Sequence, residues 1–273
     1  MLRVPPLYGW PGTLARLSAI TVLGFLVLPP IVVTIAAFND KALLAFPPER
    51  LSLRWFITAL TYEDFRTSLA NGLTVTFFAS VIALCIGATF AFALDRYEFR
   101  LKRLIEAVLL SSLLVPHFTI GLGFLVLASQ TGLSRGYAVV VVCHVVLVLP
   151  FVLRSVYVSL RNFDRRLELA AAGLGASPAR VLVSVTVPLL VPGLVSGWLL
   201  AAILSFNEFT ASLFVTSQRT QTLPVAMYNY VREYADPSTA AISVLYIIAT
   251  ALLLTLANSY LGLGKVMNVE QSR

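Results

Sequence analysis

The stretch that decides the fold is residues 188–215, which read PLLVPGLVSGWLLAAILSFNEFTASLFV. It carries one charged side chain, Glu208, and it exceeds the roughly 20 residues that an apolar helix needs to cross a bilayer. Similar runs recur along the 273-residue chain, which is 58% hydrophobic and 12% charged. Soluble domains carry about 25% charged residues, so a chain of this composition cannot keep its apolar surface out of water. We therefore interpret it as an integral membrane protein.

The apolar runs predict an all-α, polytopic bundle. A barrel is disfavoured because the sequence lacks the repeated alternation of apolar and polar residues that barrel strands require. The first run is too long for the core of a secretory signal, so we expect an uncleaved span. We expect one transmembrane domain over residues 1–273. The six predicted helices cover residues 14–38, 70–94, 104–128, 137–160, 188–215 and 239–263.

Charge predicts the orientation of the spans and excludes other functions. The net charge of +7 is spread over the connections between spans rather than gathered in a patch, which disfavours binding to nucleic acid. The connections that are inside when the N-terminus is cytoplasmic carry more Lys and Arg, so both termini are expected in the cytoplasm. Cys85 and Cys143 stand singly in apolar runs, and we predict no metal site, disulfide or cofactor.

A patterned cytoplasmic segment, residues 161–187, separates the fourth and fifth spans. Asp164 is placed to cap a short helix, which Gly173 and Gly175 would end. Ser177 followed by Pro178 then favours the start of a second helix. The pattern alone predicts a helix-turn-helix outside the membrane, or equally an amphipathic helix lying at the lipid headgroups.

The sequence ELAAAGLGASP from Glu168 and VTVP from Val185 resembles the EAA loop of permease subunits in binding-protein-dependent ABC importers. Two positions depart from that pattern: Leu169 stands where the family has glutamate, and Val187 where it has leucine. Neighbouring helix positions point about 100° apart, so Glu168 does not replace the missing carboxylate. The resemblance implies that contact with an ATPase involves Glu168, Ala170, Ala171, Gly175 and Pro188.

The resemblance extends from LANGLTVT at Leu69 to DPSTAA at Asp236. Within it, SFNEF from Ser205 and TLPV from Thr222 are similar to the polyamine permease branch. It implies a MetI-like bundle of six helices with a cytoplasmic coupling helix, in a bacterial inner membrane. Its implied cargo is a polyamine such as spermidine or putrescine, with phosphonate or ferric ion as alternatives. The implied partners are an ABC ATPase homodimer, a second related permease and an extracytoplasmic solute-binding protein.

This chain is expected to be a non-catalytic transport subunit. No Gly-x-x-x-x-Gly-Lys-Ser/Thr sequence occurs in it, so ATP hydrolysis is assigned to a partner chain. A self-sufficient secondary transporter is the alternative, but no internal repeat supports it. An intramembrane enzyme is disfavoured because the spans offer no convergent catalytic groups.

Two polar residues inside the fifth predicted span, Asn207 and Glu208, are the candidates for the translocation path. An acidic residue near mid-membrane costs about 2.5–3.5 kcal/mol, so Glu208 should face protein or water rather than lipid. It would either meet a cationic solute or pair with another helix as a strut. His117 and His144 are interpreted as hydrogen-bonded helix contacts rather than ligands.

Overall fold

The computed structural model describes residues 10–42, 46–234 and 236–261, and it is almost entirely helical there. Within a membrane every backbone N–H and C=O must find a partner, and a helix supplies these partners from its own segment. The only extended pairing among the described residues is an isolated bridge between Asn39 and Leu51. In the described ranges the α-helices are α1 Trp10–Ala36, α2 Arg54–Thr61, α3 Glu63–Arg96, α4 Lys102–Leu110, α5 His117–Thr131, α6 Tyr137–Arg161, α7 Arg166–Gly173, α8 Pro178–Val181, α9 Val187–Phe206, α10 Ser212–Val215, α11 Leu223–Glu233 and α12 Ser238–Leu261.

Four helices in the described part of the chain are long and apolar enough to cross a membrane. Three of them, Gly12–Ala36, Glu63–Arg96 and Tyr137–Arg161, contain nearly all of the predicted spans 14–38, 70–94 and 137–160. The fourth is Pro178–Phe206, in which α8 and α9 are joined by the π-helical turn Leu182–Thr186.

The third predicted span, residues 104–128, is not straight. Lys102–Leu113 and His117–Thr131 are both apolar, but they meet at an angle of 103°. The bend lies at Pro116, which has no N–H to donate and which disfavours the helical conformation at the residue before it. The third predicted span is therefore two helices that meet at Pro116 rather than a single straight one.

The fifth predicted span, residues 188–215, is interrupted. Helix α9 ends at Phe206, and the short helix α10 begins only at Ser212. Asn207 and Glu208 thus lie in a break between two helices. The sequence had instead suggested that they lie inside a continuous span. Hydropathy did not reveal the break because the residues on both sides of it are apolar.

The sixth predicted span, residues 239–263, coincides with α12, although residues 262 and 263 lie outside the described part of the chain. Its apolar portion there, Ser238–Leu252, is shorter than a full crossing. The described residues therefore give four spans, or five if the bent pair counts as one, and the predicted number of six is not confirmed.

The described residues cluster into two compact units. The first contains residues 10–42, 46–62, 230–234 and 236–249. In this unit most of α1 is exposed, as expected for a helix that faces lipid or another subunit. Trp55 and Ala59 of α2 are buried, and the rings of Phe38 and Phe56 lie 4.9 Å apart.

The second unit, residues 63–229 and 250–261, holds the core formed by α3, α6 and α9. Small residues bring these helices together, because membrane helices associate largely by close packing. A Cβ at Gly87 of α3 would lie 2.9 Å from a methyl carbon of Val152 on α6. Gly193 and Gly197 of α9 similarly face Ser159 and Ser155 of α6. The close approach identifies these glycines as packing residues.

Candidate translocation path and coupling segment

The break at residues 207–211 is stabilised by its own polar side chains. Asn207 donates from Nδ2 to the Ile203 carbonyl oxygen over 2.8 Å, at the C-terminus of α9. The Ala211 amide donates to Glu208 Oε1 over 2.7 Å, and Ser212 Oγ donates to the Glu208 carbonyl oxygen over 3.0 Å. The bonds at the Ala211 amide and the Glu208 carbonyl oxygen replace backbone bonds that a continuous helix would make, which is the condition for irregular backbone at membrane depth.

The second carboxylate oxygen of Glu208 pairs with His117, the first residue of α5. Glu208 Oε2 lies 2.7 Å from His117 Nδ1, and the side chains are 9% and 48% exposed respectively. The 103° bend allows α5 to reach this position, and the packing is close: a Cβ at Gly121 would come 2.7 Å from the Ala211 Cα. The imidazole is thus the accessible member of the pair, and the carboxylate lies behind it.

His144, which lies on α6, bonds to residues on both sides of the break. Its side chain is fully buried, with Nδ1 2.8 Å from Ser205 Oγ and Nε2 2.9 Å from Ser212 Oγ. Ser205 precedes the break and Ser212 follows it. The prediction that His144 is a hydrogen-bonded helix contact is confirmed. The contact between His117 and Glu208 was not predicted, because no spacing in the sequence relates these two residues.

A cavity of about 160 Å³ opens beside these groups. One part of its wall is polar and the other part is apolar. The polar part includes His117, His144, Ser205, Asn207 and Glu208, and the apolar part includes Leu147, Val148, Phe151 and Leu204.

Residues 161–187, called the coupling segment below, have the local structure that the sequence predicts. Asp164 Oδ1 accepts a hydrogen bond of 2.9 Å from the Arg166 amide at the start of α7. Helix α7 ends at Gly173, and Gly175 follows with φ +84°, a conformation that favours glycine. Ser177 Oγ then accepts from the Arg180 amide over 3.4 Å, with Pro178 as the first residue of α8.

The predicted coupling residues do not all lie on one surface. Ala170, Gly175 and Pro188 are exposed, and Ala171 is half-buried. Glu168 instead turns toward the spans, where its Oε1 lies 2.6 Å from an Arg96 guanidinium nitrogen and accepts a hydrogen bond from Thr186. Within residues 161–187 the most exposed large apolar residues are Leu174 and Leu169, at 90% and 71%. Sequence analysis missed Arg96 and Thr186 because nothing in their spacing relates them to Glu168.

Comparison with known proteins agrees with this architecture. Residues 83–263 match the family model of the binding-protein-dependent transport system inner membrane component. The spermidine/putrescine transport system permease protein PotC of Haemophilus influenzae is 29% identical over 237 residues, 86% of this chain and 91% of PotC. A protein named as a candidate 2-aminoethylphosphonate transport system permease, PhnV of Salmonella paratyphi A, is 32% identical over 209 residues, 76% of this chain and 78% of PhnV.

Among solved structures, the bacterial alginate ABC transporter in complex with an alginate pentasaccharide-bound periplasmic protein contains a chain with the same fold. The TM-score is 0.70 at 14% sequence identity, over 90% of this chain and 93% of that one. The family match includes the break with Glu208 and the whole segment that follows α6. This chain therefore belongs to the inner membrane components of binding-protein-dependent transport systems, the permease subunits of ABC importers.

Proposed function

We propose that this chain forms part of the translocation path for a small solute with a primary ammonium group, with polyamines such as spermidine and putrescine as the best candidates. PotC is named for polyamines and PhnV for 2-aminoethylphosphonate. The compounds in the two names share an ammonium group on a short aliphatic chain. That shared group supports an amine-bearing cargo, and the longer coverage of PotC favours the polyamines.

The observation that carries the proposal is the Glu208–His117 pair at the wall of the 160 Å³ cavity. A carboxylate that is 9% exposed needs a hydrogen-bonding or cationic partner, because an unpaired charge in such a place is strongly unfavourable. An ammonium group arriving in the cavity replaces the imidazole as that partner. The exchange keeps the carboxylate paired throughout, so the solute is held and released without a large cost at either step.

The energy of ATP hydrolysis in a separate ATPase reaches this chain through the segment 161–187. The exposed residues Leu169 and Leu174 make this segment suitable for docking on the ATPase. We propose an ATPase homodimer on the cytoplasmic side and a solute-binding protein on the outer side. The family description, an inner membrane component of a binding-protein-dependent transport system, supports the binding protein. A second, related permease chain completes the path, and both termini lie in the cytoplasm. The excess of basic residues in the connections on that side supports this orientation.

The test is Glu208→Gln in the purified importer, reconstituted with its partners. Glutamine keeps the oxygen that accepts from Ala211 and removes the charge, so the break should persist while the ammonium loses its partner. We expect uptake of the amine, and ATP hydrolysis stimulated by the loaded binding protein, to fall together at least tenfold. Glu233→Gln, at an exposed position of α11, is the matched control and should transport normally.

Two results would contradict the path role. A fully active complex carrying Glu208→Gln would show that no charge is needed there. Normal transport per assembled complex, with a lower yield or melting temperature, would instead identify Glu208 as a strut between helices.

A further inference from the structure

Glu168 lies where three elements of the cytoplasmic side meet. It is the third residue of α7, and its side chain is 14% exposed. The next residue, Leu169, is 71% exposed. The two neighbours therefore face different surroundings: the leucine is exposed, and the carboxylate is turned toward the spans. A docked ATPase would meet Leu169 and not Glu168.

One carboxylate oxygen ties α7 to two other elements. Glu168 Oε1 lies 2.6 Å from a guanidinium nitrogen of Arg96, the last residue of α3. The Thr186 hydroxyl donates to the same oxygen, and Thr186 is the last residue of the π-helical turn before α9. A second ion pair of 2.7 Å, between Asp95 and Arg165, joins the end of α3 to the residue before α7.

The π-helical turn gives the Thr186 contact its importance. Hydrogen bonds in a π-helix are less regular than those of an α-helix, and such turns occur often at functional sites. The turn Leu182–Thr186 is therefore the place where the continuous helix Pro178–Phe206 can deform. Because Thr186 ends the turn, its bond to Glu168 is made at the residue directly before α9 and bypasses the earlier residues of the turn.

We propose that Glu168 is a positioning residue, which transmits a displacement of α7 to α3 and α9 together. Without this contact, movement of the coupling segment would reach α9 only along the backbone and would be absorbed in the π-helical turn. The inference rests on the proposed docking of an ATPase on α7. It assigns to Glu168 the transmission of movement and leaves binding of the ATPase to the exposed residues.

The experiment compares Glu168→Gln and Thr186→Val with Leu169→Asp in the complete importer. Glu168→Gln and Thr186→Val should keep the ATPase bound on purification, while uptake and stimulated hydrolysis both fall at least fivefold. Thr186→Ser keeps the hydroxyl and should transport normally, which separates loss of the bond from faulty assembly. Glu98→Gln, on a side chain that is 89% exposed, is the matched control and should also transport normally.

The outcomes separate the two hypotheses. If Leu169→Asp releases the ATPase but Glu168→Gln and Thr186→Val transport normally, docking stands and the positioning role is overturned. Loss of the ATPase in Glu168→Gln would also overturn it, because Glu168 would then be a contact residue. If Leu169→Asp keeps both the ATPase and uptake, docking on α7 is itself refuted.

Discussion

Replacement of Gly193 by alanine should force α6 and α9 apart. An ideal Cβ at Gly193 would lie 2.5 Å from Ser159 Cβ and closer still to its hydroxyl oxygen. The hydroxyl can rotate away, but the Cβ cannot move without the helix, and carbon atoms normally approach to about 3.5–4.0 Å. The helices must therefore separate by about 1 Å or more. This movement would also stretch the 3.1 Å bond from Ser155 Oγ to the Gly193 carbonyl oxygen.

The expected decrease in the free energy of unfolding is the sum of two effects. Overpacking of a tight interface costs about 1–3 kcal/mol. A lost hydrogen bond adds about 0.5–1.5 kcal/mol. Together they predict a decrease of about 2–4 kcal/mol in the free energy of unfolding, visible as a fall of several degrees in the melting temperature of the purified protein.

Two further variants check the cause of this loss. Gly123→Ala on α5 adds a Cβ that meets nothing within 4 Å, so its melting temperature should not fall. Gly193→Ala combined with Ser159→Gly removes the clashing carbon and should recover part of the loss. Wild-type melting of Gly193→Ala, or no recovery in the double variant, would refute the packing argument.

Two other predictions concern the cytoplasmic segment. Leu174→Asp places a charge on a side chain that is 90% exposed, so the chain should insert normally while uptake and retention of the ATPase are lost; normal uptake at normal membrane levels would contradict docking there. With Cys85 and Cys143 replaced, Ser177→Cys should resist a membrane-impermeant thiol reagent in intact spheroplasts, and Gln218→Cys should react. Both positions are exposed, so the reverse labelling pattern would overturn the proposed orientation.

The sequence predicted well those features whose causes are local. The coupling segment depends on Asp164 bonding to an amide two residues away and on Ser177 bonding to one three residues away. The left-handed conformation at Gly175 is similarly a property of that residue type. Such signals can be recognised without knowing which helices are neighbours.

The features that escaped prediction depend on contacts between distant residues. Glu208 and His117 are 91 positions apart, and His144 reaches Ser212 over 68 positions. Hydropathy averages over a window, so residues 188–215 resembled one span although five residues without α-helical structure, 207–211, interrupt them. The sequence identified Asn207 and Glu208 as unusual for a membrane span, but the reason, a helix break closed by their own side chains, required the structure.

The break between α9 and α10 divides the fifth predicted span into two helices that need not move together. If the proposed docking moves the end of α9 that follows residues 161–187, the displacement passes along this helix only as far as Phe206. At this point the displacement reaches the neighbouring helices α6 and α5 through side chains. The contacts are the hydrogen bonds of His144 with Ser205 and Ser212 and the Glu208–His117 pair. The residues at and after the break are bonded to α5 and α6, so under the proposed mechanism they can keep their orientation while α9 moves.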